Sequence, residues 1–241
     1  MRGLRLAARY GIWPLRLGFC GPPKKRAKIA LYKYLQGKER NKEKIKEILR
    51  EFKGAFPYYS LIAKSNSIKD PFAERVVKAY WIGNDLLEKV KIFDLRRVIA
   101  EDFSKPGLLS KEIALKKAQE IPDNSKPHHS FHVLIIGSIT GRVLLKGKLL
   151  DLCRIGCGKV KSSEKNKIKV EYQPLIGKKK LKLGKPIKKT IFWDKNLVSK
   201  IKIGDWVSFH WNHLVQKLKR EDINNLKKYT KKTLRALAKM K

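Results

Sequence analysis

Apolar residues recur at three- and four-residue steps through the first half of the chain and at alternate positions through much of the second. Between Lys25 and Phe52, the residues Ile29, Leu31, Leu35, Ile45, Ile48, Leu49 and Phe52 keep the helical period, and Gly54 and Pro57 end the run. Pro57–Lys64 starts another helix. Asp70-Pro71 opens a third, because an Asp side chain caps free backbone N–H groups and Pro fits a first helical turn. Phe72, Val76, Val77, Tyr80, Trp81, Leu86, Leu87 and Val90 supply its buried stripe. Residues 94–121 read as one or two further helices, broken at Pro106-Gly107. Residues 1–24 contain Trp13-Pro14 and Gly18-Phe-Cys20-Gly-Pro-Pro23, a density of breakers that predicts ordered loop or tail rather than helix.

After a polar stretch the period shortens to two. Phe131–Ile139, Gly141–Leu145, Lys159–Lys161, Lys167–Tyr172, Thr190–Trp193 and Trp206–Phe209 read as short strands, with Ser162–Asn166 as a hairpin turn and 177–189 as a basic loop or hairpin. Lys217–Lys241 closes as an amphipathic helix carrying Leu218, Ile223, Leu226, Tyr229, Leu234 and Leu237. The expected fold is α+β: a helical N-terminal domain followed by a small, OB-like β-barrel with a C-terminal helix. The expected divisions are a turn-rich segment 1–24, a helical domain 25–121, a linker 122–130 and a barrel domain 131–241.

Composition changes this picture in one respect. With 42% hydrophobic residues among 241, the chain can bury a core, yet it carries 58 Lys+Arg against 21 Asp+Glu, a net charge of +37. Such a surface attracts polyanions: nucleic acid first, an anionic membrane or an acidic protein next. Lysines outnumber arginines 44 to 14, and specific readers of phosphate and base favour the arginine fork, so the charge says little about sequence-specific binding. No run approaches the ~20 apolar residues of a membrane span, and the N-terminus is a poor signal peptide. Three unevenly spaced Cys make no disulfide framework, which points to the cytoplasm.

Candidate chemistry gathers on soft and borderline metal donors. Cys153-Arg-Ile-Gly-Cys157-Gly-Lys-Val160 and Gly204-Asp-Trp-Val-Ser-Phe-His210 each sit beside a strand, and strand ends of a small barrel converge on one rim. All five His lie in two clusters, His128-His129-Ser-Phe-His132 and His210–His213. On a strand, His128 and His132 would share a face and His129 would oppose them. The candidate ligands are Cys153, His210, Cys157, His213, His128 and His132, and the candidate metals are iron and zinc. Walker spacing, a Ser–His–Asp set and paired carboxylates are all missing from the sequence, which disfavours an enzyme. Basic runs offer a second kind of site, a polyanion groove through Lys178, Lys179, Lys180, Lys188, Lys189, Lys227 and Lys228.

The Cys153 segment, with Gly158-Lys-Val160, and Lys202-Ile-Gly-Asp-Trp-Val-Ser-Phe-His210 resemble the two signature segments of HypC/HupF-type hydrogenase-maturation chaperones. The likeness runs over residues 150–237 with a basic insertion near 175–189. It implies a small barrel with a C-terminal helix that carries an iron unit to an apo-enzyme together with a maturation partner. It also implies that Cys153 ligates the iron and that His210 stands beside it. The chain departs from that pattern in having its Cys internal, Cys157 in place of the usual proline, and Trp211-Asn-His213 after the His. The whole chain also resembles a prokaryotic family of unknown function, through Gly18-Phe-Cys20-Gly-Pro22, Pro57–Ala63 and His129-Ser-Phe-His132. The function expected is a non-catalytic metallocentre-assembly chaperone with an apo-metalloprotein or maturation partner. The alternative is a basic RNA- or ribosome-associated protein.

Overall fold

In the computed structural model, which describes residues 2–177 and 180–240, the chain begins with a helix, α1 (Arg2–Arg16), where the sequence predicts a loop or tail. The supposed breakers have other uses. Gly3 lies where an added Cβ would stand 2.0 Å from the Phe72 carbonyl oxygen, so it permits backbone contact rather than a turn. Pro14 falls in the last turn, where a missing N–H removes one hydrogen bond without ending the helix. Leu4, Ala7, Ala8, Tyr10, Ile12 and Leu15 are buried on several sides of α1, as suits a central helix.

Against it pack α2 (Lys25–Leu35), α3 (Lys42–Arg50) and α5 (Glu74–Trp81); α4 (Phe56–Ser65) rests on α5 and on α6 (Ile92–Glu101), and α7 (Lys111–Glu120) on α6, all near their expected places. Asp70 does cap, accepting the Phe72 N–H at 2.9 Å, but α5 begins only at Glu74. The expected strand over Phe131–Ile139 is instead a short helix, α8 (His129–Phe131), running into a π-helical turn (His132–Ile136) that Gly137 ends with φ 79. An apolar run of strand length that is buried all round carries no period to separate strand from helix. The His128 ring starts it as an N-cap, its Nδ1 accepting the Ser130 N–H at 3.1 Å. Gly141–Leu145 pairs with no strand, and an unforeseen helix, α9 (Lys148–Cys153), follows.

The remaining strands are β1 (Gly156–Glu164), β2 (Lys167–Tyr172), β3 (Leu175–Ile176), β4 (Lys182–Leu183), β5 (Ile187–Phe192), β6 (Trp206–His210) and β7 (His213–Lys217). Five form a closed ring in the order β1-β2-β5-β7-β6, while β3 and β4 pair separately. The ring is antiparallel except at β5–β7, which meet in parallel through the single pair Phe192–His213. Val160, Ile168, Val170, Ile191, Val207, Phe209 and Leu214 fill it.

The last helix, α10 (Arg220–Leu237), leaves the barrel to lie on the helical half. The Tyr229 hydroxyl reaches the Asn84 carbonyl at 2.8 Å, and Glu88 gathers Lys126, Lys228 and Lys232. One apolar core therefore runs from Leu4 through Tyr80 and Ile155 to Leu226 and Tyr229, across the divisions read from sequence. Ser125, His128, His129 and Ser130, expected in a linker, are buried. Among the described residues, no helix is long and apolar enough to cross a membrane.

Gly3→Ala tests the central position of α1. A Cβ meeting backbone at 2.0 Å has no flexible neighbour to displace, so the variant should lose about 2–4 kcal/mol in urea unfolding. An unchanged midpoint would show that α1 is not packed against the Phe72 backbone.

A candidate metal centre at three converging chain ends

His129 opens α8, Cys153 closes α9 and His210 closes β6, and one donor atom of each lies within 4.8 Å of the others. All three are buried, at 4%, 6% and 2% exposure. Metal–ligand bonds of about 2.0–2.3 Å place tetrahedral donors roughly 3.5 Å apart, so the cluster needs to contract by about 1 Å to enclose an ion.

The orientation of His210 originates in α1. Pro14 has no N–H to donate to the carbonyl of Tyr10, four residues before it. His210 Nδ1 lies 2.9 Å from that carbonyl oxygen and takes the vacant place. A carbonyl only accepts, so Nδ1 carries the proton and Nε2 keeps its lone pair. His210 Nε2 and His129 Nδ1 are both buried without a hydrogen-bond partner. Polar atoms buried unpaired in this way are costly, and at His210 Nε2, which keeps its lone pair, a cation would remove the cost. His129 is wedged in place, its ring 4.5 Å from that of Trp81 and edge-on to His210 at 5.2 Å.

Backbone strain helps bring Cys153 to His210. Trp211 (φ 51) and Asn212 (φ 60) form a tight β6–β7 turn with both residues left-handed, a conformation that non-glycine residues resist. It persists because Trp211 is buried, its ring 4.3 Å from Phe19. The Trp211 N–H donates to the Leu152 carbonyl at 2.9 Å, tying this turn to the end of α9.

Burial sets the protonation of the cluster. It pushes His210 down to about 4, against opposing pulls from the Tyr10 and Cys153 carbonyls. It pushes His129 well below its usual range, with His210, His132 and His128 adding to the shift. It raises the Cys153 thiol well above its usual range, and Cys20 adds to that. At neutral pH the cluster is two neutral imidazoles and one thiol, and a bound cation would displace the thiol proton.

The three donors line a cavity of about 290 Å³, walled largely by apolar side chains such as Phe19, Phe52, Trp81, Ile139, Leu145 and Trp211. His132 also lines it. Its Nδ1 is 3.2 Å from the Tyr58 hydroxyl, and burial, with Lys117 adding, holds it near 4. The other expected ligands stand apart. His128 caps α8 and stacks on Tyr229. His213 lies between Trp13 and Phe192, with its Nδ1 2.7 Å from the Trp211 carbonyl. Cys157, on β1, lines a different pocket beside Trp206 and Lys227. The structure thus joins Cys153 to His210 and adds His129, which strand parity had pointed the wrong way.

The basic candidates scatter. Lys178 and Lys179 lie outside the described residues. Lys189 sits over the Tyr172 and Phe209 rings, 3.8 Å from Asp151. Lys227 covers Trp206, and Lys228 covers Tyr229 and pairs with Glu88 at 3.3 Å. Lys180 and Lys188 are exposed.

Fold and site define a mixed α/β protein with a five-stranded sheet and a buried His–Cys–His cluster. Over residues 1–241 the chain matches the family described as "Family of unknown function (DUF6390)", and it belongs to that family. No curated protein and no solved structure matches it significantly.

The buried imidazoles set a pH dependence. Burial lowers the folded pKa of His128 (about 3), His132 and His210 (about 4 each) and of His129, while unfolded His titrates near 6.5. Below 6.5 the unfolded chain binds more protons, so stability is full above that pH and falls as pH drops towards 4. The slope is about 1.4 kcal/mol per pH unit for each such group. The urea midpoint of the metal-free protein should fall steeply from pH 6.5 to 5; a flat profile there would contradict the buried, neutral cluster.

Proposed function

We propose that this protein is a non-catalytic metal carrier of the metallocentre-assembly type, holding iron or zinc at His129, Cys153 and His210 and passing it to an apo-metalloprotein or maturation partner. The observation that carries the reading is the convergence of three distant chain segments on one buried donor cluster at the wall of a cavity. The residues fit the group they would hold. Two buried imidazole nitrogens lack hydrogen-bond partners, and one thiolate with two imidazoles suits iron or zinc. Three protein ligands leave a coordination position that a further side chain of this protein or a partner's ligand can fill, so cargo can be handed on by ligand exchange.

The likeness to HypC/HupF-type chaperones supports this reading at Cys153 and His210, the two places where that family's signature falls. The closed five-stranded ring with one parallel pairing also supports the OB-like reading of this half. His129 adds to that pattern a third donor from outside the barrel. The RNA- or ribosome-binding alternative draws on net charge, and receives less support because Lys189, Lys227 and Lys228 are engaged within the chain. A reducing compartment such as the cytoplasm suits the free thiols of Cys20, Cys153 and Cys157.

Metal analysis after anaerobic purification or reloading tests the reading. The wild type should hold about one equivalent of iron or zinc. Cys153→Ser, His210→Ala and His129→Ala should each weaken retention by about 100-fold or more, since even outer partners of a metal site are worth 10–100-fold. Lys180→Glu with Lys188→Glu should leave it unchanged. A wild type that takes up no metal would sink the proposal.

A further inference from the structure

Cys20 is absent from the three-donor cluster, yet it lines the same cavity. Its turn is bounded by Gly18 (φ 84) and Gly21 (φ 78), and the space around a Gly18 Cβ is empty. Cys20 is half-buried, forms no disulfide, and its sulfur makes no hydrogen bond among the described residues. From across the cavity, Arg142 donates to the Gly21 carbonyl at 2.6 Å and so braces the turn.

Charge decides what such a thiol can do. A divalent ion on Cys153 alone leaves a net +1 in a site walled by apolar groups, and burying an uncompensated charge is costly. The charged residues among those lining the cavity are Glu51, Lys53 and Arg142, of which the acid is exposed, and the chain as a whole is at +37. A second thiolate would supply the compensation, and Cys20 is the other cysteine that lines the cavity. We propose that Cys20 is the fourth ligand of the site, closing a tetrahedral set of two thiolates and two imidazoles (Cys20, Cys153, His129, His210) around a divalent cation. This rests on the metal-carrier reading and adds to it a ligand on a glycine-bounded turn, the one donor that does not already stand in the cluster. Binding is proton exchange without redox: M²⁺ replaces one proton on each of two thiols, two S–H bonds break, two M–S bonds form, and two protons leave. S₂N₂ in tetrahedral geometry is a zinc-type set.

The test uses the full-length, reduced, metal-free protein titrated anaerobically with Co²⁺, a tetrahedral probe with visible and thiolate charge-transfer bands. The wild type should bind one Co²⁺ with four-coordinate visible bands. It should release two protons, read by calorimetry in buffers of different ionisation heat, and should show two sulfur neighbours by X-ray absorption. Cys20→Ser should still bind one Co²⁺, with one proton released, about half the charge-transfer intensity, and affinity weaker by about 100-fold or more. Cys157→Ser should match the wild type. One Co–S neighbour in the wild type, or a Cys20→Ser variant equal to it in protons and charge transfer, overturns the fourth ligand and leaves the three-donor site standing. A wild type that binds no Co²⁺ overturns both. The sulfur count needs no variant, so it holds even if Cys20→Ser fails to fold.

Discussion

One missing hydrogen bond organises this molecule. Pro14 cannot donate to the Tyr10 carbonyl, and a buried carbonyl needs a partner. His210, at the far end of β6, supplies it. The same residue of α1 holds the barrel by its side chain: the Tyr10 hydroxyl lies 2.9 Å from Ser208 Oγ and accepts from Gln216 Nε2 at 3.0 Å. Tyr10 thus joins β6 and β7 to the first helix at three points, and one of them sets which nitrogen of His210 is free. The proline that looked like an obstacle to helix formation is what creates the demand for that imidazole.

The helical half was largely legible because α2 to α7 are amphipathic, and an amphipathic period survives in a single sequence. The elements that were not legible share a cause: they are buried on more than one side. α1 is apolar round most of its circumference and studded with Gly3, Gly11 and Pro14, whose reasons lie in residues far along the chain. The α8 segment is a continuous buried run, for which strand and helix look alike. β7 hid because its hairpin turn is Trp211-Asn212, lacking the glycine that marks most two-residue turns. Cys153 and His210 were visible from the company they keep in sequence. His129 was not, since its membership depends on α8 being helical, and only the clustering of all five His hinted at a shared site.

The shared core makes the two halves interdependent. α10 leaves the barrel and places Tyr229 against the Asn84 carbonyl, while Glu88 collects lysines from α10 and from the segment before α8. Around Glu88, burial pushes the carboxyl up, but the Tyr229 hydroxyl and Lys232 outweigh it and hold it near 2. In a chain so rich in lysine, a single carboxylate that neutralises several ammonium groups relieves repulsion where α10 docks. The donor cluster lies on this seam, with His129 from one side and Cys153 and His210 from the other.

The bond between Tyr10 and His210 spans 200 positions of the chain. During synthesis, the Tyr10 carbonyl precedes its partner imidazole by 200 positions and waits for it until β6 has been made. Contacts of such separation form late, because the chain must close a very long loop to reach them. The donor cluster is therefore assembled near the end of folding, and a stalled or truncated chain lacking β6 would have no complete site in which to trap an ion.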